Sequence, residues 1–105
     1  VILIEPTNAL GGQGTAGGVA GFCGDTRRVN GLFAELVARL TACGRIDPYD
    51  PNDDRRAYDL EVCAFLLQEF VVEKGVELWL HAKAIDVQAR DGIVTRASAV
   101  RVAAA

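Results

Sequence analysis

The chain has 105 residues and a formal net charge of −3, with 50% hydrophobic and 24% charged residues, which fits one small globular domain with a narrow margin of buried surface. The acidic balance and the lack of a basic run argue against a nucleic-acid partner, whose phosphates call for clustered Lys and Arg, and no apolar stretch approaches the roughly 20 residues a membrane helix needs. Cys23, Cys43 and Cys63 lie far apart with one His and no Cys-x-x-Cys pair, so no metal-ligand spacing is present and reduced, partly buried thiols in a cytoplasmic protein are expected.

Val1-Ile2-Leu3-Ile4-Glu5 is an apolar run ending in one carboxylate. A buried parallel strand whose C-terminal tip receives a ligand hydroxyl has this pattern. Pro6-Thr7-Asn8 is a turn, because Pro cannot donate to a ladder and Asn favours local side-chain hydrogen bonds. Leu10-Gly11-Gly12-Gln13-Gly14-Thr15-Ala16-Gly17-Gly18 follows, leaving bare backbone that can approach a phosphate or a flat ring closely. The competing use of such glycines is tight chain reversal and close packing. From Gly11 to Gly24 no helix or strand is assignable beyond a short helical turn.

Asn30 is placed to cap a helix running to about Cys43, with Leu32, Phe33, Leu36, Val37 and Leu40 as its apolar stripe and Gly44 as its end. That helix is expected to pack on the sheet. Arg45 to Arg56 is polar, holds Pro48 and Pro51, and reads as a surface loop. Asp59 should cap a second helix through Lys74, its apolar face formed by Leu60, Cys63, Leu66, Leu67, Phe70 and Val71, with Gly75 stopping it. Val76 to Leu80 is then a strand reached by a crossover through helix, in a parallel sheet with Val1–Glu5 as its partner or near neighbour. Ala84 to Ala89 and Ile93 to Ala99 form a hairpin turned at Arg90-Asp91-Gly92, where Gly92 supplies the positive φ. The tail through Ala103-Ala104-Ala105 carries no stop signal and reads as a chain cut off.

A dinucleotide site normally opens with Gly-x-Gly-x-x-Gly, the acid lying about 20 residues further on. Here the acid-bearing strand comes first, so the chain reads as a fragment of a longer protein or as a shortened relative. Taken together, Val1–Glu5, Leu10-Gly11-Gly12-Gln13-Gly14-Thr15-Ala16-Gly17, the helix Gly31-Leu32-Phe33-Ala34-Glu35-Leu36, and Lys74-Gly75-Val76-Glu77-Leu78 resemble the FAD-dependent oxidoreductases of the glutathione-reductase-like, two-dinucleotide-binding-domain kind. The resemblance covers nearly all of the chain. The family's first strand with its glycine fingerprint is missing, as is its later Ala-Thr-Gly strand.

The resemblance implies an α/β fold, a partial Rossmann-like FAD/NAD(P)-binding domain over residues 1–105, with parallel strands, helices and a small antiparallel hairpin. It implies FAD as cofactor and flavin-mediated hydride or electron transfer on a small-molecule substrate. Glu5 would accept the ribose hydroxyls, Gly11 and Gly12 would pass near the ribityl and pyrophosphate portion, and Gln13, Gly14 and Thr15 would lie towards the flavin ring. Ala84 matches the position that touches adenine. A homo-oligomer or a partner chain covering the missing strand is expected. The alternative is a non-catalytic α/β remnant, or an interaction domain that binds no flavin on its own.

Other candidates read as structural. His81 has no obvious partner, Cys23 reads as a buried spectator, Trp79 as filling core or interface space, and Arg27 with Arg28 as a solvated pair whose other use would be an anionic substrate. No catalytic acid or base is assignable.

Overall fold

Two helices and three two-stranded β-ribbons make up the computed structural model, which describes residues 1–102. The alanine tail lies outside the described residues. The mixed α/β character agrees with the sequence reading, and the described residues divide into two compact units: 1–8 with 71–102, and 9–70.

In the first unit, β1 (Ile2–Glu5) runs parallel to a later strand, Glu77–Leu80, which is β4 in chain order. Ile2 stands opposite Glu77 and Glu5 opposite Leu80, the partnership expected from the sequence. The burial expected of β1 does not hold. Val1 is 97% exposed, and Ile2 and Leu3 are also exposed; each strand of the pair has a single hydrogen-bonded neighbour among the described residues. Trp79 is likewise half-buried rather than a core residue; its Nε1 donates to Glu77 Oε1 at 2.8 Å, and the Arg101 guanidinium sits 5.9 Å from its ring centre.

The hairpin is longer than its sequence signature. Ala82–Arg90 (β5) and Ile93–Arg101 (β6) pair antiparallel, with Arg90 opposite Ile93. Asp91 and Gly92 both take positive φ, 53° and 76°, which matches the right-handed twist of the strands they join. β1 also touches β5.

The second unit holds α1 (Gly31–Ala42), the first eleven residues of α2 (Leu60–Glu73), and a short antiparallel ribbon of β2 (Gly21–Cys23) and β3 (Arg55–Ala57). Asp59 caps α2 as expected, its Oδ1 accepting from Val62 N–H at 3.0 Å; a cap of this kind is worth about 1 kcal/mol. Asn30 precedes α1 but its side chain makes no capping bond. Both helices end alike: Arg45 N–H reaches Leu40 O at 2.9 Å and Val76 N–H reaches Val71 O at 3.2 Å, across Gly44 and Gly75 in the left-handed conformation.

Leu36, Leu40, Tyr58 and Cys63 form the core of this unit, with Phe22, Ile46, Leu66 and Leu67 packed around them. The stripe of α1 meets α2, Tyr58 and Phe22. The first turn of that stripe is less buried, Leu32 being 68% exposed. Residues 45–56 are mostly irregular, as expected, yet an Ile46–Tyr58 bridge ties them down, and their last two residues belong to β3. β2 and β3 were not legible in sequence: each has only three residues, too few to show an alternation.

Candidate glycine-loop site

The glycine-rich segment folds back on itself. Gly14 N–H bonds Gly11 O at 3.0 Å, Gly17 N–H bonds Gly12 O at 2.9 Å, and Val19 N–H bonds Gln13 O at 2.9 Å, with a single 3₁₀ turn over Gly12–Gly14. Two of the glycines are required by their surroundings. At Gly11, φ is +106° and a Cβ would lie 2.6 Å from Thr15 Cγ2 and 2.9 Å from Leu67 Cδ1; at Gly17 a Cβ would lie 2.5 Å from Gln13 Oε1. The packing use of the glycines is therefore real. Gly12 differs: its carbonyl accepts from Thr15 and Gly17 N–H, but nothing stands within 4 Å of where its Cβ would be, so that side of the backbone leaves room for a ligand.

Thr15 is 5% exposed and its hydroxyl donates to Leu10 O. Gln13 and Gly12 are exposed, and Gly14 is half-buried. The inner side of the loop, through Gly11, Gly14 and Thr15, borders a cavity of about 190 Å³ whose other walls include Phe22, Phe33 and Leu67.

A residue that sequence reasoning missed stands behind the loop. The Tyr58 hydroxyl lies 2.8 Å from Gly14 O and 3.0 Å from Val19 O, and its one proton serves both carbonyls. Burial pushes its phenol pKa up, and burial does the same to the neighbouring Cys63 thiol. Nothing in the sequence marks Tyr58 beyond its place before the Asp59 cap. Arg56 was missed for the same reason: it is 8% exposed, with Nε donating to Asp47 O at 2.9 Å and Nη1 to Thr26 Oγ1 at 3.1 Å, which fastens the proline loop to the segment after β2.

Glu5 and Ala84 belong to the other unit. Glu5, half-buried at the C-terminal end of β1, accepts from both the N–H and the hydroxyl of Thr7 at 2.8 Å, and both bonds use Oε1. Thr7 O in turn accepts from His81 N–H at 3.0 Å, so the turn after β1 is tied to the end of β4. Ala84 stands opposite Ala99 in the hairpin, next to a register shift, and is exposed. In the loop, Gly11, Gly12 and Gln13 are exposed while Thr15 is buried; Glu5 and Ala84 sit on β1 and β5, which touch.

The remaining candidates take structural or solvated places. Cys23 is exposed rather than buried, because it ends β2 where the ribbon runs out, whereas Cys63 is the buried thiol. Arg27 and Arg28 both reach Asp25: Arg27 Nε at 2.9 Å and Nη2 at 3.0 Å, Arg28 Nε at 3.4 Å. The Arg27 hydrogen bonds hold the Asp25 carboxyl down at about 2. Among the described residues no group of three or more His, Cys, Asp or Glu could hold a metal ion, and no helix is long and apolar enough to cross a membrane.

Among known proteins, a family model described as FAD dependent oxidoreductase matches residues 1–105, the whole chain. No curated protein and no solved structure matches it.

Proposed function

Since the chain belongs to the FAD-dependent oxidoreductase family, we propose that residues 1–105 form part of a Rossmann-like FAD-binding domain of the glutathione-reductase-like kind, in a cytoplasmic enzyme acting on a small-molecule substrate. The family match over the whole chain carries this reading. The glycine loop supports it through Gly12, where no atom stands within 4 Å of a Cβ position, leaving room for a bulky phosphorylated cofactor to approach the backbone.

When bound, FAD supplies the hydride or electron transfer, and the protein contributes position and electrostatics. Gly11 and Gly12 would present backbone to the ribityl and pyrophosphate portion, with Gln13, Gly14 and Thr15 towards the flavin ring, Thr15 by its backbone because its hydroxyl is held on Leu10 O inside the fold. Glu5 receives the ribose hydroxyls, an ionised carboxylate being a pure acceptor with two oxygens; Thr7 occupies Oε1 alone. Ala84 would lie beside the adenine. The exposed apolar residues of β1 support a partner, either a second copy or a chain adding a strand at its edge.

The test is direct. The purified chain is mixed with FAD and passed through gel filtration. Flavin absorbance that co-elutes with protein and saturates at one equivalent is the expected result. A folded, colourless chain that leaves added FAD fluorescence unquenched would refute the reading in favour of a non-catalytic remnant.

A further inference from the structure

Resting on that FAD reading, we infer that Tyr58 is a positioning residue for the cofactor, a strap whose hydroxyl joins the two limbs of the glycine loop and sets the backbone that receives FAD. The loop leaves and returns within a few residues, and Gly14 O on the outgoing limb and Val19 O on the returning limb both meet the Tyr58 hydroxyl, at 2.8 and 3.0 Å. Tyr58 also holds the loop's exit with its backbone, donating its N–H to Ala20 O at 3.1 Å.

The strap is delivered from a fixed mount. The Tyr58 ring stacks on Phe22 with centroids 4.2 Å apart and planes 23° from parallel, and Phe22 meets Phe33 of α1 edge-on at 4.8 Å. Leu36, Leu40 and Cys63 complete the surroundings of the ring. A glycine-rich segment has more backbone freedom to lose than any other, and freedom removed before binding does not oppose binding. One hydroxyl bound to both limbs removes much of it at once, and Gly14 fits closely: a Cβ there would lie 3.0 Å from the Tyr58 hydroxyl.

The experiment compares the wild-type chain with Tyr58→Phe, which keeps the ring and deletes the hydroxyl. Three readouts are taken: the FAD dissociation constant, the visible band of bound flavin, and amide hydrogen exchange. The expected result is a roughly tenfold weaker FAD affinity, the size of one lost hydrogen bond. With it come a shifted flavin band and about tenfold faster exchange at Gly14, Gly17 and Val19, while α1 and α2 amides are unchanged. A folded Tyr58→Phe chain with wild-type affinity, band and loop exchange overturns the strap while leaving FAD binding intact. Failure of the wild type itself to bind FAD sinks the functional reading, and this inference with it. Gly14→Ala probes the same contact without altering Tyr58. Its methyl should speed loop exchange in the otherwise wild-type chain but much less when combined with Tyr58→Phe, where the hydroxyl it crowds is already gone, whereas strictly additive effects count against the strap.

Discussion

Thr15 closes the glycine loop onto Leu10 from within: its buried hydroxyl donates to the Leu10 carbonyl, with Gly11 turning sharply between them. This bond occupies the hydroxyl inside the fold. Thr15→Val keeps the shape but leaves the Leu10 carbonyl without that donor. It should lower unfolding stability by about 1–3 kcal/mol, read from the urea midpoint at constant slope. Thr15→Ser retains the hydroxyl and should recover most of the loss.

Gly11 and Gly12 are adjacent, both have positive φ, and should nevertheless respond differently. Gly11→Ala sets a methyl within 3.0 Å of Thr15 and Leu67 and should destabilise the fold by more than the roughly 1–2 kcal/mol that a left-handed residue alone costs. Gly12→Ala meets open space, so its thermal stability should fall only by about that backbone strain. Its main effect should be on FAD affinity, where the new methyl stands between backbone and cofactor. Parallel melting curves and FAD titrations separate the two. Equal affinity loss relative to stability loss at both positions would count against Gly12 facing the cofactor.

Glu5 holds Thr7 through one oxygen. Glu5→Gln keeps an acceptor for Thr7 but removes the charge and one acceptor site, and should weaken FAD binding on the order of tenfold or more, since hydrogen bonds to charged groups contribute about 1.5–3 kcal/mol. Riboflavin lacks the adenosine ribose, so its affinity should be unaltered. A loss shared by FAD and riboflavin would point to a folding defect instead.

How much of this was legible from sequence differs by element. The pairing of Val1–Glu5 with the strand after Gly75, the Asp59 cap and the Asp91–Gly92 turn each follow from a local rule: an apolar run, an Asx side chain before a helix, a positive-φ dipeptide. The three-residue strands at Gly21–Cys23 and Arg55–Ala57 carry no such signal, because each is paired only with a segment far away in the chain. Tyr58 and Arg56 escape for the same reason: their partners are Gly14, Val19 and Thr26, which no spacing rule connects to them. The pattern overstates the burial of β1 and Leu32 because an apolar run states what can be covered, not what covers it.

Asp25 offers a local check on the electrostatics. Its carboxyl is held at about 2 chiefly by the Arg27 side-chain hydrogen bonds, so the charged form is favoured and the Arg27 tie should persist until the pH falls through that value. Carboxyl carbon shifts followed by NMR should show Asp25 titrating near pH 2. In Arg27→Ala the midpoint should move up towards the ordinary carboxylate range, Arg28 being the weaker partner at 3.4 Å. An unmoved midpoint would mean that the contact does not persist in solution.

Alkaline pH should weaken the second unit through Tyr58 and Cys63. Burial raises both folded-state values above the unfolded references of 10.0 and 9.0, so each neutral form is the one the fold prefers. Below about pH 8 both groups are almost wholly protonated in either state, and the full stability is present. Above it the unfolded chain releases protons that the folded chain retains, so stability declines as pH rises towards the folded values. Cys63→Ala should remove the earlier part of that decline, near pH 9, at the expense of a small cavity that lowers the whole curve. Tyr58→Phe should remove the later part, near pH 10. Urea midpoints measured from about pH 8 to 11 give the slopes, and a wild-type decline no steeper than that of the double variant would show that neither group is buried as described.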